Sequence, residues 1–111
     1  MAYQRAVRNT TTNLLWIYVV ALLKKRRMYA YEIGKEIQRE FGFKVATVTV
    51  YAVLYKMERE GLVKSVKSNV LLSPSRKFYE LTPRGAKIWG DAIEYVSAKL
   101  LALKKFADAS H

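Results

Sequence analysis

Residues 44–63, KVATVTVYAVLYKMEREGLV, carry two periodicities at once. The first half interleaves Val45, Val48, Val50 and Val53 with Thr47, Thr49 and Tyr51, the β-branched and aromatic composition of a strand. From Val50 onward, Val50, Val53, Leu54 and Met57 fall at the i, i+3, i+4, i+7 spacing of a helical stripe, and Gly61 stands where a helix would stop. A buried strand would leave the KMERE ending and the glycine without a role. The stretch therefore reads as a helix over residues 46–60 whose first turns carry side chains of low helix propensity.

The flanking segments say why such a helix would exist. Leu14–Leu23 (LLWIYVVALL) is too short to cross a bilayer and lacks a small-residue cleavage site, so it reads as a buried core helix of a cytoplasmic protein. The Thr10–Asn13 cluster is placed to cap that helix, which runs to about Lys25, behind a polar, basic and flexible segment at residues 1–9. Tyr31–Phe41 forms a second helix with Ile33 and Ile37 inward and Gly42 as its stop. After the contested helix, Leu62–Lys67 and Arg76–Leu81 alternate apolar and polar residues on either side of SNVLLSPS, the pattern of an antiparallel hairpin. A last helix starts at Pro83 with Thr82 as cap and runs to about Phe106.

Three helices followed by a two-stranded hairpin give a mainly α fold with a small β hairpin: a winged helix-turn-helix over residues 1–82 and a long C-terminal dimerisation helix over residues 83–111. In that fold the third helix enters the major groove of DNA, and its first turns need short hydroxyls and free N–H groups more than helix propensity. Lys44, Thr47, Thr49, Tyr51, Tyr55 and Lys56 are the expected DNA-facing residues. Lys67, Arg76 and Lys77 flank the hairpin tip, where a wing meets phosphate. The KKRR run, Lys24–Arg27, sits at a helix C-terminus and reads as a solvated end favoured by the helix dipole.

Charge supports a polyanionic partner. The chain of 111 residues has 20 Lys and Arg against 9 Asp and Glu, a formal net charge of +11. The excess lies in residues 1–87, with 17 basic and 6 acidic side chains, while residues 88–111 hold 3 of each. The first part is suited to phosphates and the tail to protein. Nothing points to catalysis: the single histidine is His111, there is no cysteine, no Gly-rich phosphate loop and no residue set for a metal or cofactor. Glu58 and Glu60 lie among Lys56, Arg59 and Lys64 and read as helix-surface charge.

In the tail, Trp89, Ile93, Val96, Leu100, Leu103 and Ala107 are spaced 4, 3, 4, 3, 4, the seam of a helix that packs along another helix. An intramolecular core helix is the alternative. Ile88, Ala92, Tyr95 and Leu101 broaden the apolar surface beyond what so small a domain can cover, which favours a dimer with Trp89, Ile93, Val96, Leu100 and Leu103 between subunits.

Three motifs in order, MYAYEI (Met28–Ile33), TVYAVLYKMEREGLV (Thr49–Val63) and RKFYELTPRG (Arg76–Gly85), resemble the PadR family of winged-helix transcriptional regulators, whose patterns are close to hGYEI, TLYxxLxxLExxGLV and RKYYxLTxxG. The resemblance covers about residues 14–87. Ala30 stands where the family usually has Gly, and Thr47 and Val48 replace the Pro-Gly that commonly opens the third helix. A single C-terminal helix resembles the short subgroup, whose members are homodimers in which the first helix packs on the partner's tail. Some relatives hold aromatic ligands at that interface, and Trp16, Tyr18, Trp89 and Tyr95 are the candidates here for a small aromatic effector, with plain packing as the alternative. The implied function is a sequence-specific, double-stranded DNA-binding repressor acting as a homodimer on a palindromic site in the nucleoid. A small basic architectural chromatin protein that coats DNA without sequence preference shares the charge and differs in its specificity ratio. A membrane-surface protein would need a basic amphipathic helix, and no segment has that pattern.

Overall fold

A computed structural model describes residues 1–67 and 77–109 of the chain. In chain order these form α1 (Ala2–Thr10), a 3-10 turn (Thr12–Leu14), α2 (Leu15–Leu23), β1 (Met28–Tyr29), α3 (Ala30–Phe41), α4 (Thr47–Arg59), β2 (Val63–Lys67), β3 (Lys77–Leu81) and α5 (Pro83–Ala109). The fold is the winged helix: three helices packed on a small antiparallel sheet of order β1-β3-β2, with α5 extending away.

Helices α2, α3 and α4 each contribute one apolar stripe to a common core of Leu15, Val19, Val20, Leu22, Ile33, Ile37, Val50, Leu54 and Met57, sealed on the sheet side by Met28, Val63 and Tyr79. This packing decides the strand-or-helix conflict at residues 44–63. Thr and Val in the first turns of α4 cost about 0.5 kcal/mol each in propensity, whereas complete burial of Val50, Leu54 and Met57 returns about 1.5–3 kcal/mol apiece. Gly42 and Gly61 end α3 and α4 in left-handed geometry, φ +76° and +78°, as the sequence predicts.

Three local expectations are corrected. The segment at residues 1–9, expected to be flexible, is helical as α1, although it buries no side chain against the described residues. The Thr10–Asn13 cluster does not cap α2: with helix on its N-terminal side, the Thr10 and Thr11 hydroxyls donate back to the Ala6 and Val7 carbonyls, each at 2.7 Å, and close α1 instead. The sheet has three strands where a hairpin of two was expected. Its extra strand, β1, is two residues long, below the reach of any alternation pattern, and forms because β3 offers a free edge that pairs Met28 with Tyr79 and Tyr29 with Phe78.

The last strand and helix are pinned to the end of α4. Thr82 N–H donates to Leu62 O at 3.1 Å, the Thr82 hydroxyl lies 2.7 Å from Gly61 O, and Arg84 Nε donates to Glu60 O at 3.1 Å. Thr82 also caps α5, its Oγ1 accepting from Gly85 N–H at 3.0 Å. Gly85, the one buried residue of α5, comes so close to the Leu62 carbonyl that no side chain fits. Among the described residues no helix is long and apolar enough to cross a membrane.

Candidate nucleic-acid interface

With Val50, Leu54 and Met57 turned into the core, helical geometry sends Val48, Ala52, Tyr55 and Arg59 to the opposite side and Tyr51 to its edge, while Thr47, three residues before Val50, shares the core stripe and is uncovered because it opens the helix. All six are exposed: 79% of Val48, 53% of Tyr51 and 63% of Tyr55 face solvent. Lys44 and Lys56 are exposed beside them, and Thr49 is half-buried on the flank of this face rather than on its crest. Ala46, the residue preceding α4, has no side-chain acceptor, so the N–H groups of the first turn meet no cap. A helix that begins this way points uncompensated positive dipole outward.

The wing adds cation density next to α4. Lys67 and Lys77 are cross-strand partners, both exposed, which sets two like charges opposite each other at the described end of the hairpin. Such a pairing is destabilising by a few tenths of a kcal/mol to about 1 kcal/mol unless an anion intervenes. Arg76, the third expected wing residue, lies outside the described residues, as does His111.

Between the first turn of α3 and the wing is a recess of about 140 Å³ lined by Tyr29, Ala30, Tyr31, Glu32, Tyr51 and Lys77. It brings together two expected residues, Tyr51 and Lys77, and adds Tyr31, which the sequence reading passed over. Tyr31 is off the Ile33–Ile37 stripe and 61% exposed, with Lys35 Nζ 5.1 Å from its ring centre. An aromatic residue in a first turn, off the apolar stripe, was the available signal.

Glu58 is also reassigned. It is not surface charge: its Oε2 accepts from the Ser65 hydroxyl at 2.7 Å and from Ser65 N–H at 3.3 Å, bracing α4 against β2 and so fixing the wing relative to the helix. The Tyr79 phenol beneath is pushed above its usual range by burial first, then by the Glu58 carboxylate and by Tyr51. The KKRR run, expected to be a solvated helix end, is instead largely engaged by side chains of other elements. Arg26 pairs with Glu32 at 3.1 Å, Arg27 pairs with Glu80 at 3.6 Å and lies over the Phe78 ring, and Lys24 lies over Trp89.

On α5 the structure separates the seam into two parts. Trp89, Ile93 and Val96 are half-buried, and Trp89 Nε1 donates to Ile17 O at 2.9 Å, tying the helix to α2. Beyond them Leu100 and Leu103 are 60% and 66% exposed, with Leu101 and Phe106 as bare. The four aromatics proposed for a ligand do not share a cavity within one chain. Trp16 lines a cleft of about 630 Å³ with Lys56, Arg59, Arg84 and Ile88. Tyr18 packs edge-on against Phe41 and Phe43 and donates to Thr10 O, and Tyr95 is exposed under Lys99. Among the described residues no group of three or more His, Cys, Asp or Glu is placed to hold a metal.

Comparison with known proteins places this geometry. The description "Transcriptional regulator PadR-like family" matches residues 19–90, from the middle of α2 into α5. The chain is 30% identical to a PadR family transcription regulator from Clostridium difficile R20291, covering 83% of this chain and 96% of that one with a TM-score of 0.73. A PadR family transcriptional regulator from Eggerthella lenta DSM 2243 superposes with a TM-score of 0.77 at 23% identity over 96% of each chain. PadR of Bacillus subtilis in complex with operator DNA shares the fold at 23% identity and a TM-score of 0.66, over 72% of this chain and 47% of that one. The three motifs, the winged helix they build and the match across α2 to α5 lead to one assignment: the chain belongs to the PadR-like family of transcriptional regulators.

Proposed function

We propose that this regulator is a homodimer that binds a palindromic site in double-stranded DNA through α4 and the wing, and represses transcription by occupying it. The observation that carries the reading is the exposed, uncapped first half of α4 with cations on both sides: Lys44 before it, Lys56 and Arg59 along it, and Lys67 and Lys77 on the wing. That arrangement puts hydroxyls and backbone N–H groups at the groove and lysines on the phosphates. The solved complex of the Bacillus subtilis relative with operator DNA supports it by shared fold. Tyr31 joins the site as a further phosphate contact beside Tyr51 and Lys77.

The bare end of α5 supports the dimer. A run of Leu100, Leu101, Leu103 and Phe106 left in water is the kind of contiguous apolar surface that monomers avoid. Packed about a two-fold axis against α2 of the partner, the helix that the family resemblance brings there, it would set the spacing of the two reading helices. The proposed pocket for a planar aromatic effector, with Trp16, Tyr18, Trp89 and Tyr95 as its candidates, would form across such an interface, and titration followed by Trp fluorescence and DNA release tests for one.

Selection of bound fragments from genomic DNA tests the central reading. A palindromic consensus is the expected result, and uniform recovery of all sequences would favour a DNA-coating protein instead. Leu100→Asp should convert the dimer to monomer in sedimentation and abolish tight binding to the palindrome, and a dimer that persists would remove α5 from the interface.

A further inference from the structure

The exposed side of α4 has an unusual chemistry for a helix that meets base edges. From Thr47 to Tyr55 it presents Thr47, Val48, Tyr51, Ala52 and Tyr55, with no Arg, Lys, Asn or Gln among them. Bidentate recognition of guanine by Arg or Lys, and of adenine by Asn or Gln, is therefore not available from these two turns. What they do offer is hydroxyls and methyl groups. The major groove has one apolar feature for methyl groups to meet, the C5 methyl of thymine.

Val48 is the residue placed to meet it. It is the second residue of α4, where a recognition helix comes nearest the groove floor, and 79% of it is exposed. The fold gives no reason for a branched apolar side chain there. It lies off the buried stripe and lowers the helix propensity of the first turn. Its β-branch restricts χ1 to essentially one rotamer in a helix, so its two methyls stand in a fixed position with little entropy left to lose on contact. Ala52, one turn on along the same face, is small enough to let the helix approach closely. Tyr51 and Tyr55 are exposed beside the pair.

We infer that Val48 is a specificity-determining residue that packs on a thymine methyl in each half-site, and that the operator is selected in part by that methyl. The inference rests on the reading of α4 as the major-groove helix and adds to it the base that the helix prefers. Thymine and uracil present identical hydrogen-bonding edges and differ only in this methyl. Replacing a thymine by deoxyuridine therefore removes the proposed contact and nothing else.

The experiment takes the full-length protein and the tightest-binding duplex recovered from a randomised library, then replaces each thymine in turn by deoxyuridine. One position per half-site should lose about fourfold in affinity, the factor that burial of a single methyl brings, and about fifteenfold when both half-sites are changed. In Val48→Ala the same position should bind thymine and deoxyuridine alike, while other positions keep their parental ratios. Ala is the better helix former and Val48 buries little, so the variant should melt at or above the parental temperature, which separates lost contact from lost fold. An operator in which every thymine tolerates deoxyuridine, or a thymine preference that survives Val48→Ala, overturns the assignment and leaves the regulator reading standing. A library that yields no preferred sequence overturns both.

Discussion

The junction of β2 with α5 is where one methyl group should do the most damage. A Cβ built on Gly85 would lie 2.1 Å from Leu62 O, 2.8 Å from Leu81 Cδ1 and 3.0 Å from the Leu62 carbonyl carbon. The first contact is with backbone that itself accepts from Thr82 N–H at 3.1 Å and sits near the Thr82 hydroxyl at 3.0 Å. Relieving it means moving the start of α5 by more than ~1 Å, which lengthens those bonds and the cap from Gly85 N–H. Overpacking of this kind costs about 1–3 kcal/mol and each compromised hydrogen bond about 0.5–1.5, offset by about 1 kcal/mol of helix propensity that Ala gains over Gly. The net loss for Gly85→Ala is roughly 2–5 kcal/mol, a large share of the ~5–15 kcal/mol that holds a domain together. At about 4 °C or more per kcal/mol for a domain of this size, the melting temperature should fall by at least about 8 °C. Gly90→Ala is the matched control. It is in the same helix with nothing within 4 Å of the added Cβ, and should raise the melting temperature by a few degrees. Far-UV circular dichroism at one fixed protein concentration reads both, since the midpoint of a dimer depends on concentration. Equal responses from the two glycines would refute the idea that a close backbone approach holds α5 on the wing.

Tyr51→Phe should weaken binding of the selected operator about threefold to tenfold, the range for one hydrogen bond, with the melting temperature unchanged; a large stability loss at intact affinity would make the hydroxyl structural. Lys67→Ala and Lys77→Ala should each weaken binding to all sequences alike and lower the salt slope by about one unit, while slightly raising the stability of the free protein by relieving the opposed charges. Because burial raises the Tyr79 phenol above its ordinary value of 10.0, the fold favours its neutral form. Its stabilising effect is thus present below pH 10.0 and lost as pH rises beyond it, and Tyr79→Phe should flatten the alkaline fall in melting temperature relative to the parent.

How far the sequence carried the fold depends on how long each pattern ran. Helices α3 and α4 could be placed to within a residue because Ile33–Ile37 and Val50–Met57 supply full stripes and Gly42 and Gly61 supply stops. The start of α2 could not, because Thr and Asn serve equally well as N-caps and as hydroxyl or amide partners for a preceding turn, and only the conformation of residues 2–10 decides between the two. At the interface, exposure is set by which residues of α4 the core takes. The stripe gives that set, so Tyr51 and Tyr55 were legible, whereas Thr47, three residues before Val50 on the same stripe, is exposed because it opens the helix. Val48 lies opposite the stripe, and an apolar residue there carries no chemical signal of its own until its exposure is seen. The Glu58 brace was hidden for a different reason. Its partner Ser65 is seven residues away across the Gly61 turn, a spacing with no periodic signature.

The clasp at Gly61, Leu62, Thr82 and Gly85 also bears on the spacing of half-sites. In the proposed dimer the two reading helices must reach grooves about 34 Å apart, and each is held to the axis through α5. At 1.5 Å per residue, the first turn of α4 around Val48 is roughly 20 Å along that helix from the clasp at Gly61. A swing of about 10° at the clasp therefore displaces that turn by about 3.5 Å relative to α5, one base-pair step of the duplex. A flexible joint would let the dimer accept half-sites one base pair too near or too far. Four hydrogen bonds and a glycine with no room for a methyl are what the chain uses to prevent that swing. Gly85→Ala protein, assayed well below its lowered melting temperature, should accordingly bind operators with one base pair inserted or deleted between half-sites nearly as well as the parental spacing, whereas the parent should discriminate between them. Undiminished discrimination in the variant would mean that the spacing is set within the α5 seam itself and that the clasp serves stability alone.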